Sequence, residues 1–292
     1  MRIVITGAGG QLGRALRERF AEYDLIALSH TALDVTDRDA VFALSEKAPD
    51  LILHAAAMTN VDRCEQEPEA AYQANALGTQ NVALLAQRSG AAMVYVSTDY
   101  VYDGRKGSPY WEWDATNPLS VYAASKLAGE WFVRHLLTRF YIARTAWVYG
   151  PGGNNFPKKM LDLSETLPKL SVVTTESGHP TYAPHLADGL YRLVQSGAYG
   201  LYHLVNEGCV SRYEFARRIL HAAGKAEYPV EPIEHYPRPA TPPAHVELST
   251  FAAQQVGVSL PHWTEGLREW FGERGVERLG ERRAGSGERN GR

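Results

Sequence analysis

A glycine-rich turn near the start of the chain is the feature that most constrains its fold. The apolar run of residues 3–6 precedes the turn Gly7-Ala-Gly9-Gly10-Gln11-Leu12-Gly13, and a helical pattern follows. Glycines let a phosphate group approach the backbone closely, and the N-terminus of the helix supplies unpaired N–H groups and a positive dipole. Leu12 breaks the G-x-G-x-x-G pattern, so the spacing is instead G-x-x-G-x-x-G. The turn therefore predicts a phosphate-binding strand-turn-helix unit.

Apolar runs alternate with helical patterns after this turn. The further runs cover residues 25–28, 51–54, 92–96 and 141–145. Strands that alternate with helices form a parallel sheet with helices on both faces. The sequence therefore predicts an α/β fold built on a doubly wound parallel sheet of the Rossmann type.

The composition changes after Pro151, where proline and glycine become frequent and the predicted elements less regular. We expect a dinucleotide-binding domain at residues 1–146, with a return segment near 184–206. Residues 147–183 and 207–272 are predicted to form a smaller, irregular α/β lobe that binds the substrate. Residues 273–292 are mostly Arg, Glu and Gly, which predicts a disordered tail.

Composition and charge exclude several classes of protein. The 292 residues are 45% hydrophobic, which allows a sizeable core, and the net charge of -3 gives no basic surface for nucleic acid. No apolar run approaches the roughly 18 residues of a membrane span, and neither a signal-peptide pattern nor a disulfide framework is apparent. We expect a cytoplasmic protein without nucleic-acid or membrane partners. The histidines show no metal-site spacing, so no metal is expected.

Residues 97–126 concentrate the groups suited to catalysis. Thr98 ends an apolar run, and Tyr122-Ala-Ala-Ser-Lys126 lies in a helical pattern. Positions i and i+4 of a helix share a face, so Tyr122 and Lys126 are expected to project together towards Thr98. An ammonium group beside a phenol lowers the pKa of the phenol, which suits Tyr122 to donate a proton to a carbonyl group. The spacing alone is weak, because a surface helix pair has the same spacing.

Two further segments are candidates for cofactor contacts. No acid follows directly after the second strand, where a carboxylate would repel a ribose 2'-phosphate, so NADP is permitted. Asp34 and Val35 are candidates for the adenine end, unless Asp34 or Thr36 caps the following helix. The small side chains of Ala55-Ala56-Ala57 let a cofactor pass close, although small residues also pack helices.

Taken together, these residues resemble the extended short-chain dehydrogenase/reductases, and within them the dTDP-4-dehydrorhamnose reductase family. The resemblance runs from Met1 to about Phe271. Its motifs are Gly10-Gln11-Leu12-Gly13, Leu33-Asp34-Val35-Thr36-Asp37, His54-Ala55-Ala56-Ala57, Ser97-Thr98-Asp99-Tyr100-Val101, Tyr122-Ala-Ala-Ser-Lys126, Arg144-Thr-Ala-Trp147-Val-Tyr-Gly150 and Pro180-Thr181-Tyr182.

The resemblance implies a reaction and a set of site residues. The family reduces the 4-keto group of dTDP-4-dehydro-L-rhamnose with NADPH or NADH and forms dTDP-L-rhamnose. Tyr122 would donate the proton, Lys126 would lower the pKa of Tyr122 and bind the nicotinamide ribose, and Thr98 would assist at the carbonyl. The residues implied to line the cofactor, besides Tyr122 and Lys126, are Gly7, Gly10, Gln11, Leu12, Gly13, Asp34, Val35, Ala55, Ala56 and Ala57. Thr98, Asp99 and Trp147 would meet the nucleotide sugar, unless Trp147 is a core aromatic.

Alternatives to this function come from the same superfamily and from outside catalysis. A nucleotide-sugar epimerase or another 4-ketoreductase would use the same Tyr122 and Lys126. A relative of this family serves as a regulatory subunit of an S-adenosylmethionine synthetase, and the intact Thr98, Tyr122 and Lys126 argue against that role. Some relatives form magnesium-linked dimers through an acid in the first helix. Ala15 occupies that position here, so we expect a monomer or a homodimer without a metal link.

Overall fold

A parallel sheet of six strands forms the centre of the molecule in a computed structural model that describes residues 1–272. The strands are β1 (Arg2–Thr6), β2 (Asp24–Leu28), β3 (Leu51–His54), β4 (Ala92–Thr98), β5 (Phe140–Thr145), β6 (Val148–Tyr149), β7 (Leu170–Val173), β8 (Ser177–Gly178), β9 (Thr181–Tyr182), β10 (Gly200–His203), β11 (Val210–Ser211) and β12 (Val230–Ile233). The order across the large sheet is β10-β5-β4-β3-β1-β2, and all neighbours are parallel. The predicted doubly wound parallel sheet is confirmed.

Helices cover both faces of this sheet. They are α1 (Gln11–Arg19), α2 (Arg38–Ala43), α3 (Val61–Gln66), α4 (Pro68–Tyr72), α5 (Gly78–Ser89), α6 (Val121–Leu136), α7 (Phe156–Thr166), α8 (Ala183–Ser196), α9 (Arg212–Ala222), α10 (Phe251–Gln255) and α11 (263–272). The helices α4 and α5 form one continuous helical stretch, because a π-helical turn, Gln73–Leu77, joins them. Within residues 1–272, no helix has the length and apolarity required to cross a membrane.

The two faces of β1 bury alternate side chains, as the period of a strand requires. Ile3 and Ile5 pack with the apolar residues of α1 and α8, whereas Val4 packs with those of α5 and α6. All three side chains are fully buried. Continuous apolar sequence in the strands is therefore explained by helices on both sides.

A separate apolar cluster lies on the C-terminal side of the chain. Its buried members include Tyr149, Met160, Tyr182, Phe215 and Trp270. The elements that contribute them are β6, α7, β9, α9 and α11, while α8 and β10 pack with the large sheet. The limits of the two lobes stay a prediction, and the predicted tail at 273–292 lies outside the described residues.

Candidate active site

A cleft of about 1100 Å³ opens at the carboxyl ends of the central strands. Ligands of open parallel sheets bind at this edge. The cleft is lined by every residue predicted to bind the cofactor or to act in catalysis, namely Gly7, Gly10, Gln11, Leu12, Gly13, Asp34, Val35, Ala55, Ala56, Ala57, Thr98, Tyr122 and Lys126, and by Trp147. Residues separated by more than 100 positions in sequence therefore line the same cleft.

The glycine turn is packed too tightly for side chains at two positions. Gly7 has φ +70, and a Cβ atom there would lie 2.6 Å from the backbone nitrogen of Ala56. A Cβ atom on Gly13 would lie 2.2 Å from the carbonyl oxygen of Gly7. Gly10 caps α1 without any side-chain hydrogen bond to the first turn. The close backbone and the uncapped helix N-terminus fit a dinucleotide pyrophosphate.

Hydroxyl groups rather than acids line the cleft directly after β2. Ser29, His30 and Thr31 line the cleft there, and the hydroxyl oxygens of Ser29 and Thr31 are 2.9 Å apart. The missing acid was apparent from the sequence, whereas the presence of these side chains in the cleft was not predicted. Their position immediately after the second strand was the available signal.

Asp34 does not cap the helix that follows it. Its carboxylate accepts hydrogen bonds from the backbone nitrogen and the hydroxyl of Thr36, at 2.9 and 2.8 Å. These bonds lower the pKa of Asp34, so the carboxylate is favoured. The N-cap of α2 is Asp37, which accepts from the backbone nitrogens of Asp39 and Ala40. The capping alternative for Asp34 or Thr36 is therefore wrong, and Asp34 lines the cleft.

Lys126 is held at the base of the cleft by backbone and aromatic contacts. Ser120 caps α6, two residues before Tyr122. The Lys126 ammonium donates a 2.7 Å hydrogen bond to the carbonyl oxygen of Val96 and lies 4.2 Å from the centre of the Tyr95 ring. Burial lowers the pKa of Lys126 to about 7, although the carboxylate of Glu130 opposes that shift.

The expected lowering of the Tyr122 pKa by Lys126 is not found in the structure. Burial raises the pKa of Tyr122, and a hydrogen bond with Thr98 opposes the shift only in part. A charged phenolate is disfavoured because the ring is removed from water. The phenol therefore keeps its proton at neutral pH, which is the state that a proton donor requires.

Asp99 is not among the residues that line the cleft, so its contact with the sugar stays a prediction. A 3-10 turn, Asp99–Val101, begins directly after Thr98 and carries Asp99 inward, where its exposure is 2%. The Thr98 hydroxyl donates to the Asp99 carboxylate at 3.1 Å. Burial raises the pKa of Asp99 to about 7, while the Thr98 hydrogen bond and the charge of Arg212 lower it. Asp99 therefore contacts Thr98 from behind the cleft wall.

Trp147 lines the cleft and, partly buried, also packs against two apolar clusters. Its φ of +45 is in the left-handed region, which is unusual for a residue with a side chain. The guanidinium carbon of Arg212 lies 3.4 Å from the centroid of its ring system. Arg212 was not singled out by the sequence analysis, because this contact joins residues 65 positions apart and leaves no local signal.

The loop between β6 and α7 meets the first helix, α1, beside the glycine turn. The Arg14 guanidinium donates to the carbonyl oxygen of Gly152 at 2.8 Å, and the Asn155 amide donates to the side-chain oxygen of Gln11 at 2.9 Å. Gly152, Gly153 and Asn154 line the cleft beside Arg14. Arg14 was not predicted to contribute to the cleft, because its contact with Gly152 joins segments distant in sequence.

A buried ion pair anchors α6 against the sheet. Arg144 on β5 donates to both carboxylate oxygens of Glu130 at 2.9 and 2.7 Å, and the Ser97 hydroxyl donates to Glu130 at 2.5 Å. Arg144 and Glu130 are 2% and 1% exposed in their side chains. Glu130 follows Lys126 by one helical turn, so this pair fixes the helix that carries Tyr122 and Lys126.

No cluster of three or more His, Cys, Asp or Glu side chains suited to a metal ion occurs in the part of the chain that the structure describes. The cleft instead combines a glycine turn, a buried tyrosine and lysine on one helix, and hydroxyl groups at strand ends. These features define the class of extended short-chain dehydrogenase/reductases, which use a nicotinamide cofactor.

The chain belongs to the family whose model is described as the RmlD substrate binding domain, which matches residues 1–275. It is 39% identical to the spore coat polysaccharide biosynthesis protein SpsK of Bacillus subtilis, over 94% of this chain and 98% of that protein. It is 38% identical to a dTDP-4-dehydrorhamnose reductase of Aggregatibacter actinomycetemcomitans, over 91% of this chain and 97% of that protein.

A solved structure resembles the whole described fold. The dTDP-4-dehydrorhamnose reductase of Bacillus anthracis, determined in complex with NADP, has a TM-score of 0.89 and 39% identity, over 93% of this chain and 99% of that chain. The family resemblance predicted from the sequence is therefore confirmed.

Proposed function

We propose that this protein reduces the 4-keto group of dTDP-4-dehydro-L-rhamnose with NADPH and releases dTDP-L-rhamnose. The observation that carries the proposal is the convergence of Thr98, Tyr122 and Lys126 on one cleft beside the glycine turn. The names of relatives at 38 to 39% identity, which share almost the full length of the chain, support the same reaction.

The cofactor fits the cleft at three points. The glycine turn and the uncapped N-terminus of α1 suit the pyrophosphate, and the small side chains of residues 55–57 leave room beside it. Ser29 and Thr31 offer hydroxyl groups at the end of β2, without the acid that would repel a 2'-phosphate. NADPH is therefore the proposed cofactor, with NADH as a second substrate for the same site. When bound, the nicotinamide supplies a hydride to the carbonyl carbon.

The residues of the chain handle the proton. Tyr122 donates its phenolic proton to the carbonyl oxygen, and its raised pKa keeps that proton in place before the reaction. When the substrate binds, the Thr98 hydroxyl exchanges its hydrogen bond with the Asp99 carboxylate for one to the same oxygen and orients it. Lys126, with a pKa near 7, would hold the nicotinamide ribose. Trp147 contacts the nucleotide sugar from the opposite wall.

The reductase is favoured over the alternatives. An epimerase re-reduces its own intermediate and keeps its cofactor, whereas the relatives at 38 to 39% identity that are named for a reaction are named as reductases. A regulatory subunit needs neither Tyr122 nor Lys126 in a cleft. We place the reaction in the cytoplasm, where reduced nicotinamide cofactors are regenerated, and propose a monomer or a homodimer.

The test is the oxidation of NADPH or NADH by the purified protein with freshly prepared dTDP-4-dehydro-L-rhamnose. We expect absorbance at the reduced-nicotinamide band to fall by one equivalent per keto sugar, and NADPH to be used at least as well as NADH. dTDP-glucose, which has no ketone, is the control and should give no oxidation. Binding of both cofactors without any oxidation would refute the proposal.

A further inference from the structure

The indole of Trp147 is held in a slot formed by the C-terminal side of the molecule. One side of the slot is the Arg212 guanidinium, 3.4 Å from the centroid of the indole ring system. Another side is Gly178, where a Cβ atom would lie 2.9 Å from the Trp147 ring. The backbone nitrogen of Thr181 donates to the carbonyl oxygen of Trp147 at 3.4 Å. The slot therefore contacts both the ring and the backbone of Trp147.

Arg212 is itself fixed in place. It is the first residue of α9, and its backbone nitrogen donates to the carbonyl oxygen of Glu176 at 3.0 Å. Its side chain lies 3.7 Å from the Glu176 carboxylate and 5.0 Å from the centre of the Phe156 ring. The guanidinium side chain is 16% exposed. A planar cation that is anchored in this way can hold an aromatic ring in one orientation.

The backbone of Trp147 is in a strained conformation, which the contacts of the slot hold in place. A φ of +45 is strained for a non-glycine residue and persists only where the surroundings impose it. Trp147 also lines the cleft together with Thr98 and Tyr122, so any rotation of the indole changes the surface of the cleft that holds the reacting groups. The orientation of this ring is therefore maintained by its neighbours rather than by its own conformational preference.

We propose that Arg212 is a positioning residue for the nucleotide sugar, because its guanidinium stacks on Trp147 and fixes the indole surface against which the substrate binds. The inference rests on the proposed function. Arg212 is absent from the residues that line the cleft and acts through Trp147. The cofactor end of the cleft does not depend on this stack, so loss of Arg212 should affect the sugar nucleotide and not NADPH.

The experiment compares the wild type with Arg212→Ala, Arg212→Lys, Trp147→Ala and the double variant Arg212→Ala/Trp147→Ala. KM for the keto sugar and kcat are measured by NADPH oxidation. Kd for NADPH and for dTDP-L-rhamnose is measured by titration calorimetry. Arg217→Ala is the matched control, since Arg217 lies on the same helix, is exposed, and stands 5.9 Å from the Tyr213 ring.

Loss of the stack should weaken binding of the sugar nucleotide by roughly 3- to 30-fold, as a cation–π contact of this kind predicts. We expect that increase in KM and in the Kd for dTDP-L-rhamnose in both Arg212→Ala and Arg212→Lys, because lysine keeps the charge but lacks the planar group. The Kd for NADPH and kcat should stay within about threefold of the wild type. In the Trp147→Ala background, Arg212→Ala should add no further loss.

Three results would overturn the inference. Wild-type KM in Arg212→Lys would show that charge alone is sufficient. A loss in the double variant equal to the product of the single losses would show that Arg212 acts independently of Trp147. Parallel loss of NADPH affinity would show a general structural role. If the wild type binds dTDP-L-rhamnose without turnover, the proposed function fails, and the calorimetric Kd values still decide the role of Arg212. Failure to bind it refutes both.

Discussion

At the scale of single residues, burial sets the protonation of the reacting groups. It raises the pKa of Tyr122 and lowers the pKa of Lys126 to about 7, because removal from water disfavours the charged form of each. The resting site therefore holds a protonated phenol beside a lysine that titrates near neutral pH. This arrangement suits the reduction of a carbonyl, which consumes one proton from the donor.

The first prediction concerns Tyr122→Phe, which keeps the ring and removes the phenolic proton. We expect kcat to fall by about 10²- to 10⁴-fold, the usual contribution of a general acid. The Kd for NADPH, measured by the quenching of protein fluorescence, should be unchanged, because the ring shape is retained. Turnover at the wild-type rate would contradict the assignment of Tyr122 as the proton donor.

The sequence predicted the site well wherever a motif lies within a single element. The i, i+4 spacing brought Tyr122 and Lys126 to one cleft, and the strand end supplied Thr98. The inward turn of Asp99 and the stack of Arg212 on Trp147 were not predictable, because both depend on how distant segments pack. The direction of the Tyr122 pKa shift was also missed, since burial is a property of the folded chain.

At the scale of elements, the glycine turn forms the proposed phosphate site, and α6 carries Tyr122 and Lys126. The turn joins β1 to α1 so closely that Gly13 contacts the backbone of Gly7. The helix α6 is tied to β4 and β5 by the buried pair of Glu130 and Arg144. The strands and α6 were predictable from their periodicity. The short helix α3 and the π-helical turn were not predictable from the sequence. Six residues are too few to show a helical period, and a π-helical turn changes that period only slightly.

The second prediction concerns the glycine turn. Gly13→Ala places a Cβ atom 2.2 Å from the Gly7 carbonyl oxygen, so α1 must move away from β1. We expect the Kd for NADPH to rise by at least about tenfold, since the helix N-terminus no longer aligns with the phosphates. Gly9→Ala is the control, because its Cβ atom meets only the Ser29 Cβ atom at 3.4 Å. Equal NADPH affinity in the two variants would contradict this account of the turn.

The third prediction concerns the anchor of α6. Glu130→Gln leaves the Arg144 guanidinium buried without a counter-charge, and we expect the free energy of unfolding to fall by about 3 kcal/mol. Urea denaturation followed by circular dichroism measures this change. Glu67→Gln removes an exposed partner of Arg63 and should leave stability unchanged. If the two variants lose the same stability, the Glu130–Arg144 pair does not anchor the helix.

At the scale of the whole molecule, several buried histidines stay neutral in the folded state. Burial lowers the pKa of His54 to about 3, of His179 to about 4 and of His203 to about 3. His54 lies between the hydroxyl groups of Thr6 and Thr79, at 2.7 and 3.1 Å. The three rings therefore join strands to helices and loops as neutral hydrogen-bonding groups, in the core and outside the cleft.

The fourth prediction follows from these shifts. Each histidine has a lower pKa folded than unfolded, so the unfolded state binds more protons below about pH 6.5 and stability falls with falling pH. Asp99 has a higher pKa folded than unfolded, so it raises the free energy of unfolding as the pH falls from about 7 to 4. This gain offsets the loss from one histidine. We expect the free energy of unfolding in urea to be roughly 2 to 4 kcal/mol lower at pH 5 than at pH 7. Equal or greater stability at pH 5 would contradict neutral burial of the three rings.

The parallel sheet was predictable from the alternation of strand and helix, whereas the contacts between the two halves of the chain were not. The hydrogen bonds of Arg14 with Gly152 and of Asn155 with Gln11 close the cleft from segments about 140 residues apart. Local sequence carries no record of such contacts. The cleft is formed by residues from both halves of the chain. Its function is therefore best tested by a measurement of the complete reaction.

The most direct measurement uses NADPH that carries deuterium at the transferred position, with dTDP-4-dehydro-L-rhamnose and the purified protein. The account predicts that one deuterium appears at carbon 4 of the sugar for each NADPH oxidised, in a product that matches dTDP-L-rhamnose by mass spectrometry and NMR. Consumption of the cofactor without deuterium at carbon 4, or no consumption at all with both ligands bound, would contradict the central claim that this chain is a nucleotide-sugar 4-ketoreductase.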